Sequence, residues 1–253
     1  MGGAAPGVVR RPRAERPVVL ANPVNREFPP LRTSALAPLL DVVRRNLHVG
    51  ASDLRLVEIG KVFEASNGAP VERWMLAGAV CGSAVRPSWS VEARPVDLYD
   101  VKGALWGMGE ALDIDSFGTS CYDGDTLDES ASATLTLDGR GIGVFGALSE
   151  AVQAAWELPC PVWVFEIDLA EVTARCEPGL TFEPLPRYPG SQRDLALVVD
   201  EDVDAGAVLE EIRGLEESLL ERLEIFDVYR GEQLPPGKKS IGFSLMYLSR
   251  ERT

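Results

Sequence analysis

Gly141, Gly143 and Gly146 stand at GxGxxG spacing, with Glu166 twenty residues further on. Such glycines hold a dinucleotide when they sit on a strand-to-helix turn, where the backbone can approach a pyrophosphate. Here the turn residues are Asp138-Gly139, and the glycines alternate with Ile142, Val144 and Phe145 in a segment that runs back as a strand. The pattern therefore reads as a glycine-bearing strand. There is no GxxxxGK[ST] loop. His48 is the only histidine, too few for a histidine-based triad or a His-rich metal site, and it reads as a helix-end residue. Cys81, Cys121, Cys160 and Cys176 contain no CxxC, which excludes a zinc ribbon or thioredoxin-like motif. They are expected to be reduced thiols, mostly core filler, in a cytoplasmic protein, and no metal is expected. Carboxylates abound, 39 against 25 basic side chains, but no pair is singled out for acid–base work, and most belong on the solvated surface. The formal charge of −14 argues against whole-molecule attraction to polyanions, so any nucleic-acid contact must be local.

The elements that would position these residues can be read from periodicity. Thr33 or Ser34 is expected to cap a helix carrying Leu36, Leu39, Leu40, Val43 and Leu47, stopped by Gly50. Residues 54–63 and 73–81 read as strands. Asp97 is expected to cap a second helix with Leu98, Val101, Leu105, Met108 and Leu112 on one face. Strands follow at 133–137 and 142–148, then a short helix from Ser149 and a strand at 162–169. Three prolines in residues 183–190 read as a linker. Beyond it come a buried strand at 194–199, a helix at 205–220, and strands at 223–229 and 240–248.

Hairpin-connected strands interspersed with helices favour an α+β fold with antiparallel sheets. The 253 residues allow one large domain or two ordinary ones. No apolar run approaches the roughly 20 residues that span a bilayer, so no membrane is expected. Residues 1–16 are rich in Gly, Ala and Arg without an apolar run, and read as a flexible lead-in.

Several segments taken together resemble a known family. Asn22-Pro23, Leu31-Arg32-Thr33-Ser34-Ala35-Leu36-Ala37-Pro38-Leu39-Leu40 and Arg45-Asn46 resemble the "NP…lRtsLlpgLL…rN" signature of the bacterial phenylalanyl-tRNA synthetase β subunit. The 56–63 segment LVEIGKVF is similar to its "lfEiGrvF" strand, and DLYDVKG at 97–103 to its "DfyDlKG" helix entry. RYP at 187–189 with RDLALVV at 193–199, and FDVYRG at 226–231 with LP at 234–235 and GKKS at 237–240, resemble "ryPa..RDlAlvv" and "lFDvYrG…lpegkkSla". The similarity spans roughly residues 20–253.

The resemblance implies a C-terminal portion of that subunit. Residues 17–185 are expected to form a class II synthetase-like module without aminoacylation chemistry. Residues 186–253 are expected to form a ferredoxin-like anticodon-binding domain, β-α-β-β, cut short of its final helix and strand, exposing an apolar face and marginal when isolated. The strand 164–168 carries Glu166 and Asp168 and no arginine, so it is expected to repel nucleotide phosphates. The resemblance implies no cofactor on this chain, ATP and magnesium in the holoenzyme, and an (αβ)2 heterotetramer with the catalytic α subunit. Contact elements would be Asn22, Pro23, Arg32, Thr33, Ser34, Leu36, Leu40, Asp97 and Lys102. The implied partner is tRNA(Phe), not DNA. Ala196, Asp227, Tyr229 and Ser240 would meet the first anticodon base: Tyr229 by stacking, on the order of 1–3 kcal/mol, and Asp227 by accepting from guanine N–H groups. Arg193, Arg230, Lys238 and Lys239 would meet phosphates. Two other readings are a protein-interaction module without an RNA role and a nucleotide-dependent transferase.

Overall fold

The computed structural model describes residues 17–20, 22, 30–66, 69–85, 88–114, 116–176, 188–215 and 217–249. The lead-in at 1–16, Pro23, the linker at 183–187 and the boundary at 185/186 lie outside the described residues. The chain divides into two compact units, 1–178 and 179–253. The fold is α+β with antiparallel sheets, as expected.

In the first unit, α1 (Leu36–His48) leads into a long hairpin of β1 (Leu54–Ser66) and β2 (Ala69–Cys81). After α2 (Leu98–Ala111) come β3 (Phe117–Ser120), β4 (Leu127–Leu137), β5 (Arg140–Leu148), α3 (Glu150–Ala155), β6 (Val162–Asp168) and α4 (Leu169–Thr173). The sheet order is β1-β2-β6-β5-β4-β3, antiparallel at each pairing. Alternate residues of a strand face opposite sides, and the core splits accordingly. Met75, Ala77, Ala79, Val162 and Val164 pack with Leu36, Leu39, Leu40 and Val43 of α1 on one face. Phe145, Phe165 and Ile167 pack with Val101 and Leu105 of α2 on the other.

Both helix starts carry specific chemistry. Asp97 caps α2 through a reciprocal box: its Oδ1 accepts from the Tyr99 and Asp100 amides, and Asp100 Oδ2 accepts from the Asp97 amide. At α1 the helix begins one residue later than expected, with Ala35 in the N-cap position. Ser34 Oγ accepts from the Leu36 amide at 3.1 Å, and the Ala35 amide donates to Glu166 Oε1 of β6 at 2.6 Å. The first turn of α1 has no acidic residue of its own, and β6 supplies a side-chain acceptor to the amide at this helix N-terminus.

The GxGxxG glycines lie within β5. A Cβ on Gly143 would overlap the Glu166 carbonyl oxygen, so the glycine permits close strand contact and makes no phosphate loop. The preceding turn has Asp138 at φ 49° and Gly139 at φ 75°, the positive pair of a tight hairpin. Cys81 is buried and Cys160 and Cys176 pack, partly buried, against the two cores; Cys121 is exposed, which corrects the core-filler reading for that one. His48 is exposed at the end of α1, as expected.

The second unit has β7 (Ser191–Asp200), α5 (Ala205–Gly214), β8 (Leu220–Tyr229) and β9 (Lys238–Tyr247), in the order β7-β9-β8. Both outer strands run antiparallel to β9, so β7 and β8 are parallel to each other with β9 between them: the split β-α-β of a ferredoxin-like fold. Ile241, Phe243 and Leu245 form its buried core with Leu197, Val199, Val208, Leu209 and Ile212. Two expectations need correction. The helix ends at Gly214, six residues short of 220, and Leu220 already belongs to β8. The strand at 194–199 is largely exposed, because among the described residues β7 has only β9 beside it and alternate residues face away from α5.

Candidate nucleic-acid interface

The register of the second sheet decides which side chains meet. Val198 and Tyr229 both pair with Ser240, and Ala196 and Asp227 both pair with Gly242. Directly paired residues project to the same face, and Ile241, Phe243 and Leu245 claim the α5 side. Ala196, Asp227, Tyr229 and Ser240 therefore share the opposite face, which no described element covers. Ala196, Asp227 and Tyr229 are exposed and Ser240 is half-buried. Tyr229 is 41% exposed and its phenol end lies over Gly231, where a Cβ would overlap it. On the same face Gln192 Nε2 donates to Ser244 Oγ at 2.8 Å.

Phe226 belongs with these residues, although strict strand alternation leaves it out. The register shifts between Ile225 and Asp227, a β-bulge that inserts one residue and turns Phe226 and Asp227 outward together. Phe226 is 61% exposed, and its Cζ lies 2.9 Å from where a Cβ on Gly242 would stand. The sequence signal was the spacing of Ile225 and Val228, three apart, both paired with inward-facing residues of β9.

The cations do not gather as expected. Arg193 pairs with Leu245, which puts it on the α5 side, away from Ala196. Lys239 is 8% exposed, and its Nζ donates to the Glu201 carbonyl at 2.7 Å, so it is a structural lysine and not a phosphate ligand. Arg230 pairs with Glu201 at 2.6 Å and Lys238 with Asp200 at 2.6 Å. Both remain exposed enough to exchange partners, but acids beside them cancel much of their pull on phosphate. The face presents aromatic rings and hydrogen-bonding groups more than unpaired charge.

In the first unit the motif residues serve one another. Arg32 Nη1 donates to Glu58 Oε1 at 2.5 Å and Arg32 Nε to the Lys61 carbonyl at 2.8 Å. A Cβ on Gly60 would overlap the Arg32 guanidinium, so the glycine of the EIG segment makes room for the arginine of the LRTS segment. Ser34, Leu36 and Leu40 are buried within this unit, which corrects their assignment to a subunit contact: they have no surface to offer. Asn22 is exposed, and Arg32, Thr33, Asp97 and Lys102 are partly exposed, Lys102 Nζ lying 4.9 Å from the Trp106 ring centre.

Glu166 and Asp168 are not aimed at a nucleotide site. Glu166 is 2% exposed and holds Ser34 and Ala35, while Asp168 Oδ1 accepts from the Ala170 amide at the start of α4. A cleft of about 410 Å³ beside α2 is lined mainly by Leu56, Val57, Leu76, Val101, Met108 and Phe165, with Arg55 and Asp100 among its polar residues. Arg55 donates to the Ser83 and Ala84 carbonyls at 2.8 Å, and Asp100 is ion-paired with Arg94. Such a lining does not fit a triphosphate, which needs several free, fixed donors.

The family of phenylalanyl tRNA synthetase beta chain CLM domains matches residues 8–169, and the ferredoxin-fold anticodon binding domain matches residues 186–253. The phenylalanine–tRNA ligase beta subunit of Listeria innocua is 34% identical over 242 residues, covering 94% of this chain and 30% of that protein. Those of Bacillus licheniformis and Bacillus subtilis are 37% and 35% identical, each over 238 residues, covering 93% of this chain and 30% of the relative. The chain spans about 30% of the length of these curated relatives. With the motif residues and the split β-α-β sheet beside these matches, the chain belongs to the phenylalanyl-tRNA synthetase beta chain family.

Proposed function

We propose that this chain supports phenylalanylation of tRNA(Phe) without performing the chemistry. Its second unit binds the anticodon and its first unit docks the catalytic α subunit in an (αβ)2 heterotetramer. The observation that carries the reading is the shared open face of Ala196, Asp227, Tyr229 and Ser240. Tyr229 offers a ring to the first anticodon base, worth on the order of 1–3 kcal/mol. Asp227 accepts from the Watson–Crick N–H groups of a guanine. Ala196 and Gly242 keep the floor between the strands low, and Ser240 donates or accepts beside the ring. Arg230 and Lys238 meet the RNA backbone only by leaving Glu201 and Asp200.

The first unit is read as a class II synthetase-like module, within residues 17–185, that has become a scaffold. Its apolar cleft supports that reading. ATP and magnesium then belong to the α subunit, and this chain takes no cofactor. Val57, Ile59 and Trp74 stand exposed on the side of β1 and β2 that faces away from α1, and an apolar patch of this kind favours a protein contact. Asn22, Arg32, Thr33, Asp97 and Lys102 remain the candidate contacts at the exposed rim. The assembly would work in the cytoplasm; among the described residues no helix is long and apolar enough to cross a membrane.

Filter binding with an anticodon stem-loop of tRNA(Phe) tests the RNA role. Tyr229→Ala is expected to weaken binding on the order of tenfold with the fold intact. Unchanged affinity would remove Tyr229 from the site. Phenylalanine-dependent ATP–pyrophosphate exchange by the chain alone would overturn the scaffold reading and favour a nucleotide-dependent transferase.

A further inference from the structure

The open face carries a second exposed aromatic ring that the reading of a single base does not use. Phe226 stands at the bulge of β8, and the far end of its ring lies over Gly242: Cζ, Cε1 and Cε2 come within 2.9–3.2 Å of a Cβ position that the glycine leaves vacant. A side chain at 242 would lift the ring off the sheet. With glycine there, the ring rests on the backbone and stays 61% exposed to solvent. A large apolar side chain so exposed, on the same face as a half-exposed tyrosine, is a cost to the isolated fold that burial against a ligand removes.

The spacing is informative. Tyr229 lies at the level of Ser240 and Phe226 at the level of Gly242, two residues along β9, which is about 7 Å. Successive nucleotides of an extended single strand span that separation. Asp227 lies between the two rings in sequence, on the same face. Ala196 completes the low floor across β9 from Asp227. Sequence-tolerant binding of single strands uses this arrangement of successive bases on successive aromatic side chains.

We propose that Phe226 is a second stacking platform, which receives the nucleobase adjacent to the one held by Tyr229 and Asp227, so that this sheet binds a dinucleotide step of single-stranded RNA. The proposal rests on the RNA-binding reading of the same face. Asp227 is the selective element between two unselective ones: the rings hold any base, and the carboxylate favours a base edge that presents N–H donors to it.

The test uses the whole 253-residue chain and anticodon stem-loops with 2-aminopurine at the position before or after the first anticodon base. Stacking on an aromatic ring changes the fluorescence of this base. The wild-type chain is expected to change the signal at one of the two positions. Phe226→Leu keeps an apolar side chain over Gly242 but lacks a flat π face. It is expected to abolish that change and to weaken binding on the order of tenfold, with an unchanged circular dichroism spectrum. If Phe226→Leu matches the wild type in affinity and signal while Tyr229→Ala loses binding, the second platform is refuted and the single-base reading survives. If the wild-type chain binds neither loop, both are refuted.

Discussion

The amide of Ala35, at the start of α1, donates to the carboxylate of Glu166 on β6, 131 residues away and 2.6 Å distant. Ser34 Oγ donates to the same oxygen at 3.0 Å. One buried acid therefore ties the first helix to the centre of the six-stranded sheet. Glu166→Ala would leave a buried amide and a hydroxyl without this acceptor, and the expected loss is about 2–3 kcal/mol. Glu166→Gln retains an acceptor and should lose less. Urea unfolding monitored by circular dichroism measures both. Equal midpoints for Glu166→Ala and the wild type would contradict the anchoring role.

Gly60→Ala should displace the Arg32 guanidinium from Glu58 and the Lys61 carbonyl, because the new methyl group needs the same space. Overpacking of this kind costs about 1–3 kcal/mol. Arg32→Ala should remove the conflict, so the double variant is expected to be no less stable than Arg32→Ala alone. A thermal melt of the three variants reads this coupling, and full additivity would contradict it.

The Asp100 carboxyl is held below its ordinary value of 3.8, chiefly because Arg94 donates to it in a two-pronged pair, 2.7 and 2.6 Å. A depressed folded-state value adds stability above the unfolded value, and that stability disappears as the pH falls through the folded one. The first unit should thus lose stability on acidification from about pH 4 downward. Asp100→Asn should be less stable at neutral pH and show a shallower acid limb. An acid limb as steep as that of the wild type would contradict the assignment.

Burial, with Cys160 beside it, pushes the Cys81 thiol up to about 11. The thiolate is the reactive form, so Cys81 should resist a maleimide at neutral pH while exposed Cys121 reacts. Mass spectrometry of timed labelling, followed by labelling in urea, separates the two sites. Fast modification of Cys81 in the folded chain would contradict its place at the end of β2.

What the sequence disclosed and what it hid follow from the range of each signal. The alternation Ile241-Phe243-Leu245 and the helical spacing of Leu36, Leu39, Leu40 and Val43 are local, and they mark β9 and α1 directly. The bulge at Phe226 breaks period two, so a reading by strict alternation leaves that ring out of the site. Lys239 looks like half of a solvated pair with Lys238, but the register turns it toward the α5 side, where the Glu201 carbonyl holds it. β3 and α4 are too short to carry a period. Glu166 reads as a charge in a strand until its partners, more than 130 residues upstream, are placed beside it.

In the proposed function Asp227 and Tyr229 read the first anticodon base. The most direct test of this is the affinity of the chain for anticodon stem-loops that differ only at that base, guanine against adenine, measured with the wild type and with Asp227→Asn. The wild type should prefer guanine on the order of tenfold, since a carboxylate accepts from guanine N–H groups that adenine lacks at those positions. Asp227→Asn should lose most of that preference while Tyr229 still holds either base. Equal affinity of the wild type for both loops would contradict the claim.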